Sequence, residues 1–232
     1  MCGRFVRVPG TSEIMSAFHV GQDISPIAWK PSYNVAPSQI IPIVSGGVQR
    51  VLEGATWGFH APWKGSGSLV INARVETVLE KPTFRRFTSG GRCVIPLTGY
   101  YEWLTNDETK SRLGLGPGKH PFFIRADVRS PLRHGAMLGA AGLISREKGE
   151  SRCVMLTRAA NGSVVEIHDR MPLLLDEIAM GEWLDPSSMP DLDRVVAASE
   201  VELQASPASH LVNSVRNNSP RLLEPDEPET LF

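Results

Sequence analysis

The middle of the chain contains four apolar runs typical of β-strands, and turn-rich stretches rather than helices separate them. The runs are GRCVIPLTGYYEWL (91–104), HPFFIRADV (120–128), GAMLGAAGLIS (135–145) and SRCVMLTRAA (151–160). Strands joined by short returns pair antiparallel, whereas a doubly wound parallel sheet needs a helix between each strand and the next. The sequence therefore predicts an α+β fold in which an antiparallel barrel or sheet is packed by several helices.

The helical segments are short, and no stretch of the sequence has the composition of a linker between domains. TSEIMSAF (11–18), DEIAMGEWL (176–184) and PDLDRVVAASE (190–200) are predicted to be helices. The Gly-rich RLGLGPGKH (112–120) lies between two strand-like runs, so we interpret it as a long hairpin loop. We predict one domain over residues 1–222, followed by a frayed, acidic and Pro-containing tail over residues 223–232.

Composition and charge exclude several classes of protein. The 232 residues carry a formal net charge of −1, which excludes a strongly basic protein but allows a local basic face that binds nucleic acid. The cysteines (Cys2, Cys93 and Cys153) include no C-x-x-C pair, which argues against a disulfide framework and a structural zinc site. We expect no metal and no cofactor. With no membrane-length apolar run and no signal-peptide pattern, we expect a cytoplasmic protein, or a nuclear one if the source is eukaryotic.

The N-terminal sequence MCGRF places Cys2 directly after the initiator methionine. Methionine aminopeptidase removes Met1 when the next side chain is small, so the mature protein would begin with Cys2. That residue would then carry a free α-amine and a thiol on adjacent carbons, a pair that no internal residue offers. The alternative, equally open from position alone, is a thiol that is simply buried, because free cysteine is among the most buried residue types.

Three further polar groups stand out against their surroundings. Asn72 and Arg74 in INARVET lie two residues apart at the end of a strand and so share a face; the alternative is an Asn turn beside a solvated Arg. Glu102 in GYYEW is flanked by aromatic rings, whose desolvation would raise its pKa as a proton shuttle requires, unless the side chain faces outward. His168 in EIHDRMP lies in a polar segment, and a structural role is the alternative to a catalytic one.

Seven motifs occur in the order found in the SRAP family of SOS-response-associated peptidase-like proteins, and the chain resembles that family. They are MCGRF (1–5), YNVAP (33–37), WGF (57–59), INARVET (71–77), GYYEW (99–103), LTRAA (156–160) and IHDRMP (167–172). Seven ordered motifs with a fixed N-terminal cysteine are specific, and the resemblance extends to about residue 222. It implies a single α/β domain with barrel-like, mostly antiparallel β structure.

The resemblance also implies a function in the response to DNA damage. Members of the family act on abasic sites in single-stranded DNA, where a lost base leaves a ring-opened sugar aldehyde, and they form a covalent DNA–protein crosslink that shields the site. Cys2 would be the nucleophile: its amine forms an imine with the aldehyde, and its thiol then closes a thiazolidine ring. Asn72 would hold the Cys2 amine or the sugar hydroxyls, and Glu102 and His168 would transfer protons.

Further residues of the motifs are implied to bind DNA. Arg4 and Arg74 would bind phosphates beside the lesion, and Trp63 and Trp103 would stack on or wedge between neighbouring bases. Three smaller residues are expected to line the groove: Asn34, Pro37 and Thr157. A basic face is expected from six arginines: Arg4, Arg74, Arg85, Arg86, Arg158 and Arg170. The partner would be single-stranded DNA with an abasic site, bound by a monomer away from membranes.

Three other functions remain open at this point. A processed N-terminal Cys is also the nucleophile of glutamine amidotransferases, although the later motifs do not resemble that family. Cys2, Glu102 and His168 could instead form a thiol peptidase, acting on other peptides or only on the Met1–Cys2 bond. A third alternative is a protein that binds modified bases without a crosslink. No role is assigned to the 105–120 loop or to His210, whose segment ASHLVNSVRNN replaces a His-Pro-Val-Ser segment frequent in the family.

Overall fold

The structure is a computed structural model that describes residues 2–61, 67–147 and 149–226. These residues contain seventeen strands and five α-helices. The strands are β1 (Arg4–Arg7), β2 (Val20–Asp23), β3 (Ser32–Val35), β4 (Ile40–Ser45), β5 (Arg50–Trp57), β6 (Phe59–His60), β7 (Leu69–Val70), β8 (Asn72–Arg74), β9 (Arg92–Leu97), β10 (Gly99–Leu104), β11 (His120–Ala126), β12 (Arg133–His134), β13 (Met137–Glu147), β14 (Glu150–Ala159), β15 (Arg170–Pro172), β16 (Leu174–Leu175) and β17 (Leu203–Pro207). The helices are α1 (Thr11–Ala17), α2 (Pro82–Arg85), α3 (Asp107–Arg112), α4 (Glu177–Leu184) and α5 (Leu192–Ala198).

Five long strands close into a ring. β4 pairs antiparallel with β5 and β9, β9 pairs antiparallel with β13, and β13 pairs antiparallel with β14. β14 then pairs in parallel with β5, which completes the circle. Closure gives each of these strands a partner on both sides, so none of them presents a free edge along the ring. The ring confirms the predicted fold class, a mostly antiparallel, barrel-like β structure packed by helices.

A second sheet of five strands holds the N-terminal strand. Its order is β17–β11–β10–β1–β3, and every pair in it is antiparallel. Across the β1–β10 pair, Arg4 lies opposite Tyr101 and Phe5 lies opposite Tyr100. β1 is an inner strand of this sheet, so its main chain is held by a neighbouring strand on each side. Cys2 precedes β1 by two residues, and the position of its main chain is therefore constrained.

The largest apolar core contains side chains from both sheets. Phe5 of β1 and Trp57 of β5 are fully buried, and their ring centroids are 5.2 Å apart. Cys2, Cys93 and Cys153 belong to the same cluster, and all three are free thiols with no exposed surface. Cys93 and Cys153 therefore pack as small apolar side chains.

The ring is covered on its outside by α1, α4 and α5. Ile14 and Phe18, the i, i+4 pair at α1, are fully buried in this second cluster together with Trp183 of α4. The indole N–H of Trp183 donates to the main-chain carbonyl of Cys93 at 2.9 Å, which ties α4 to β9. These helices agree with the positions that the sequence predicts for 11–18, 176–184 and 190–200.

The connection between β10 and β11 differs from the loop that the sequence predicts. The two strands form the expected hairpin, but α3 occupies the first part of the connection. The side chain of Asn106 accepts a hydrogen bond from the Thr109 N–H at 2.9 Å and so caps α3. An Asn followed by two acidic residues is a helix-start signal, and the Gly-rich stretch after it obscures the pattern.

Contacts continue beyond the predicted end of the domain at residue 222. Leu223 packs against the cluster that contains Val6 and Tyr101. The carboxylate of Asp226 accepts hydrogen bonds from Ser209 Oγ at 2.5 Å and from the His210 N–H at 3.0 Å. Residues 223–226 of the predicted tail thus contact the domain, and residues 227–232 lie outside the described residues.

The described residues show neither a membrane-spanning helix nor a metal cluster. No helix among them has the length and apolar character needed to cross a bilayer. Within the same ranges, His, Cys, Asp and Glu side chains nowhere assemble in groups of three or more that could hold a metal ion.

Candidate active site

Cys2 lies at the buried end of β1, where its main chain and its thiol are both held. Its carbonyl accepts a hydrogen bond from Asn72 Nδ2 at 2.9 Å, and its Sγ lies 3.7 Å from the Arg4 carbonyl oxygen, to which the thiol donates. Burial raises the pKa of the Cys2 thiol well above its ordinary value, and the negative charge of Glu102 adds to that rise. The thiol is therefore protonated at neutral pH in this environment.

Asn72 reaches Cys2 because β8 adds to the ring beside β14. Asn72 lies opposite Met155 in a parallel pair, and Arg74 lies opposite Thr157. The Asn72 Oδ1 atom is buried and has no hydrogen-bond partner in the described ranges. A buried acceptor without a donor is costly, and the lone pairs of this atom are available to accept a hydrogen bond.

Glu102 projects from β10 on the same face as Tyr100, two residues earlier. The residue is 2% exposed, so the pKa of its carboxyl rises to about 7 through desolvation, and the charge of Asp169 acts in the same direction. The alternative of an outward-facing glutamate is thereby wrong. A carboxyl group that titrates near neutrality can both give and take a proton at physiological pH.

Tyr100 is a member of this group that the sequence did not single out. Its side chain has no exposed surface, and its hydroxyl has no hydrogen-bond partner in the part of the chain that the structure describes. Burial raises the pKa of the Tyr100 hydroxyl, and negative charge on Cys2 or Glu102 acts in the same direction. The i, i+2 spacing from Glu102 is the sequence signal that could have identified it.

His168 follows a short 3-10 helix (Gly162–Glu166) and precedes β15. The main-chain N–H of Arg170 donates to His168 Nδ1 at 2.9 Å, so the neutral ring carries its proton on Nε2. Asp169 Oδ1 is also 2.9 Å from Nδ1 and would bond only to a ring that carries a proton on Nδ1. Because burial lowers the pKa of His168, the ring is neutral at pH 7 and the contact with Arg170 is the relevant one.

A cavity of about 380 Å³ joins Glu102 and His168. Its remaining lining residues are Trp103, Thr105, Lys119 and Asn213. The indole N–H of Trp103 donates to Asn213 Oδ1 at 2.8 Å, which fixes the ring on the wall of the cavity. Lys119 and Asn213 are site residues that sequence reasoning missed, since they lie in the two segments to which it assigned no role.

Residues 1–215 match the family model described as SOS response associated peptidase (SRAP). The chain belongs to the SRAP family. It is 34% identical to the abasic site processing protein YoaM of Bacillus subtilis (strain 168), over 97% of this chain and 98% of that protein. It is 29% identical to the abasic site processing protein YedK of Escherichia coli (strain K12), over 97% of this chain and 100% of that protein. A solved structure from Bacteroides thetaiotaomicron has a TM-score of 0.70 at 19% identity, over 97% of this chain and 100% of that chain, and supports the fold.

Two of the residues that the SRAP resemblance marks as DNA contacts also hold the C-terminal part of this chain. Asn34 Nδ2 donates to the carbonyl oxygens of Val212, Ser214 and Asn217 at 3.3, 3.0 and 3.0 Å. Arg4 Nη1 donates to Asn34 Oδ1 at 3.2 Å and to the Val212 carbonyl oxygen at 3.0 Å. Both side chains therefore position the segment that carries Asn213.

The remaining predicted DNA contacts of this SRAP protein differ in their exposure. Arg74 is exposed, Trp103 and Pro37 are partly exposed, and Trp63 lies outside the described residues. Thr157 is fully buried, and its Oγ1 is 3.4 Å from the Ala73 carbonyl oxygen, so its role is to join β14 to β8. The expectation that Thr157 faces a DNA groove is therefore not met by its side chain.

Two of the six arginines expected to form a basic face, Arg158 and Arg170, are buried. Arg170 is buried and paired with Glu76 through contacts of 2.7 and 2.9 Å. Arg158 is buried and paired with Glu200 at 3.0 Å. The prediction of a face containing Arg158 and Arg170 is wrong, because desolvated guanidinium groups need carboxylate and carbonyl partners inside the protein.

Proposed function

We propose that this SRAP protein recognises abasic sites in single-stranded DNA and forms a thiazolidine crosslink to them through a mature N-terminal Cys2. The observation that carries the proposal is the placement of Cys2. Asn72 holds its carbonyl at 2.9 Å, and its thiol interacts electrostatically with Glu102, which opens onto a cavity shared with His168. The names of YoaM and YedK, abasic site processing proteins, support the same substrate.

The first chemical step joins the Cys2 α-amine to the sugar aldehyde. The nitrogen lone pair attacks the aldehyde carbon and gives a carbinolamine, whose hydroxyl then leaves as water to form an iminium ion. Glu102 in its protonated form gives the proton that the departing hydroxyl needs. Its pKa of about 7 keeps a protonated fraction available at neutral pH, while an α-amine with a pKa of roughly 8 retains a neutral fraction.

The second step closes the ring. The Cys2 sulfur forms a bond to the iminium carbon, the C=N electron pair moves to nitrogen, and the thiol proton passes to the Glu102 carboxylate. The charges balance, since the iminium ion loses its positive charge as Glu102 becomes protonated again. A lysine amine would stop at the hydrolysable imine because it carries no neighbouring thiol, so the need for a terminal cysteine follows from the chemistry.

Other residues are assigned to binding and positioning. Asn72 holds the main chain of Cys2, and its unpaired Oδ1 accepts a hydrogen bond from the new α-amine. The Nε2–H of neutral His168 faces the sugar from the cavity and supplies a second acid–base group. Arg74 binds a flanking phosphate, and Trp103 offers its ring for a base to stack on. The reaction needs no cofactor, and we propose that the protein acts as a cytoplasmic monomer.

Two subsidiary activities are part of the proposal. The iminium ion acidifies the adjacent carbon, so loss of that proton could expel the 3′ phosphate, a lyase-like reaction that ring closure suppresses. A thiol peptidase activity is proposed only for removal of Met1, and cleavage of other peptides is the test of a broader activity. A glutamine amidohydrolase is the alternative that the later motifs do not support, and ammonia release from glutamine is its test.

The test of this function combines intact mass with a denaturing gel. The protein is mixed with a single-stranded oligonucleotide that carries one abasic site, and an oligonucleotide with an intact base serves as the control. We expect a band that resists heating and has the mass of protein without Met1 plus DNA minus one water. Cys2→Ala should abolish this band and retain DNA binding. A stable crosslink in Cys2→Ala would exclude the ring mechanism, and its absence in folded, Met1-free wild type would exclude the function.

A further inference from the structure

The cavity beside Glu102 has an unusual charge balance for a site that would receive DNA. Of its six lining residues, Glu102 is acidic, His168 is held neutral at pH 7, and Lys119 is the sole Lys or Arg. The charge of Asp169 also acts on Glu102. A phosphodiester group that entered this space would meet negative charge on one side, so its binding depends on whether Lys119 can offset that charge.

Lys119 has no competing partner inside the protein. Its side chain is exposed and, in the ranges that the structure describes, makes no hydrogen bond or ion pair. Arg4 differs, because its guanidinium already donates to Asn34 and to the Val212 carbonyl oxygen. The ammonium group of Lys119 is therefore available to a ligand without the loss of an internal contact.

Hydrogen bonds to the rest of the loop hold the Gly-rich segment that precedes Lys119. Lys110 of α3 is buried, and its Nζ donates to the carbonyl oxygen of Gly118 at 3.0 Å and pairs with Asp107 at 2.5 Å. The Leu115 N–H donates to the Lys110 carbonyl oxygen at 2.9 Å, and His120 Nε2 lies 2.8 Å from the Gly116 carbonyl oxygen. These contacts hold the peptide immediately before Lys119, so the loop places the lysine at the cavity instead of letting it sample the solvent.

We propose that Lys119 binds a phosphate adjacent to the abasic sugar, and that the Lys110–Gly118 contact positions it for that purpose. The proposal rests on the proposed function, since it names a substrate contact of the same site. Lys119 offsets the negative charge of Glu102 and Asp169 toward the DNA backbone. It thereby allows a buried carboxyl group that must transfer protons to lie beside a polyanion.

The experiment measures binding separately from chemistry. The protein carries Cys2→Ala, and the ligand is a single-stranded oligonucleotide with a tetrahydrofuran abasic analogue. Lys119→Gln should raise Kd about three- to tenfold and reduce the slope of log K against log salt by about 0.7, the value for one phosphate contact on a single strand. Lys119→Arg should restore most of the affinity. Arg129→Gln is the matched loss of charge, because Arg129 is exposed and follows the far end of β11, about 20 Å along the strand from Lys119.

A neutral phosphate analogue identifies the contact directly. Two further oligonucleotides carry one methylphosphonate each, either 5′ or 3′ of the abasic position. With one of these oligonucleotides, the protein that retains Lys119 should lose as much affinity as Lys119→Gln loses on unmodified DNA. Lys119→Gln should lose no further affinity when it binds that methylphosphonate oligonucleotide. Additive losses with both oligonucleotides would overturn the proposal, as would equal effects of Lys119→Gln and Arg129→Gln.

The two proposals fail in distinguishable ways. Crosslinking by the Cys2-containing protein is followed on the same sequence with a true abasic site. If Lys119→Gln weakens binding as described while wild type gives no crosslink, the crosslinking function fails and the phosphate contact stands. If wild type crosslinks and Lys119→Gln binds with unchanged Kd and salt slope, the phosphate contact fails and the function stands.

Discussion

Asn72 Nδ2 donates a hydrogen bond to the main-chain carbonyl of Cys2 at 2.9 Å, and this contact joins β8, which pairs with β14 of the ring, to the residue that lies two positions before β1 of the second sheet. Asn72→Ala should therefore release the Cys2 main chain without removing a DNA contact. We expect the crosslinking rate at saturating DNA to fall about fivefold, because one hydrogen bond contributes about 1 kcal/mol to positioning. Kd for an abasic analogue should change less than about twofold.

Arg74→Ala is the matched comparison for Asn72→Ala, since Arg74 lies two residues away on the same strand and is exposed. It should raise Kd and flatten the salt dependence by about one phosphate contact, while the rate at saturating DNA stays unchanged. An unchanged salt slope would place Arg74 away from the DNA backbone. If Asn72→Ala raised Kd as strongly as Arg74→Ala, Asn72 would be a DNA contact instead.

Glu102→Gln should lower the rate of crosslinking and abolish the pH dependence of that rate near neutrality. In wild type, the crosslinking rate should show an inflection near pH 7, where burial places the pKa of Glu102. The amide keeps the shape of the side chain but cannot transfer a proton, so we expect about a 100-fold loss and no inflection near pH 7. Rates between pH 5.5 and 9 provide the measurement. Equal loss of rate and DNA affinity would make Glu102 a structural residue.

The same substitution should stabilise the folded protein at high pH. The pKa of Glu102 is about 7 in the folded chain against 4.5 for an ordinary glutamate, so folding takes up a proton between these values. Its contribution to stability is fully present below pH 4.5 and is lost as the pH rises through 7. Above pH 7, Glu102→Gln should unfold with a free energy higher than wild type by up to about 3 kcal/mol. Urea unfolding at pH 5 and pH 8 tests this, and equal differences at the two pH values would contradict it.

Replacement of Tyr100 or Tyr101 by phenylalanine should change the free energy of unfolding in opposite directions. The Tyr100 hydroxyl is buried without a partner in the described ranges, whereas the Tyr101 hydroxyl donates to the Tyr33 carbonyl oxygen at 3.0 Å. Tyr100→Phe should raise the free energy of unfolding by about 1 kcal/mol, and Tyr101→Phe should lower it by a similar amount. Urea denaturation curves of both variants give the comparison. A loss in Tyr100→Phe would mean that the hydroxyl is paired in solution.

The strands and outer helices could be predicted from the sequence because their signals are local. Apolar runs with short returns indicate antiparallel pairing, and Ile14 and Phe18 have helical spacing. Closure of the ring could not be predicted, because the parallel pair of β5 with β14 joins Trp57 to Cys153, which lie 96 positions apart in the sequence. A contact of that kind leaves no pattern in either segment.

The sequence predicted the site residues that lie in recognisable motifs. It did not predict a site residue whose position depends on a tertiary contact. Asn72 and Glu102 lie beside Cys2, as the motifs led us to expect. Lys119 was missed because a Gly-rich composition suggests a free loop, whereas the Lys110 side chain fastens it through one carbonyl group. The residue type also gave a wrong expectation at Arg158, because an arginine is expected on the surface, whereas this buried guanidinium pairs with the exposed carboxylate of Glu200.

The position of β1 inside its sheet has a practical consequence. Cys2 has no exposed surface and is anchored by a strand paired on both sides, so additional residues ahead of it would begin in the protein interior. If the proposed crosslink forms, a purification tag fused at the N-terminus would block the Cys2 α-amine that it requires, even where the cysteine itself is intact. Asp226, the last described residue, is exposed, so recombinant protein intended for activity assays should carry its tag at the C-terminus.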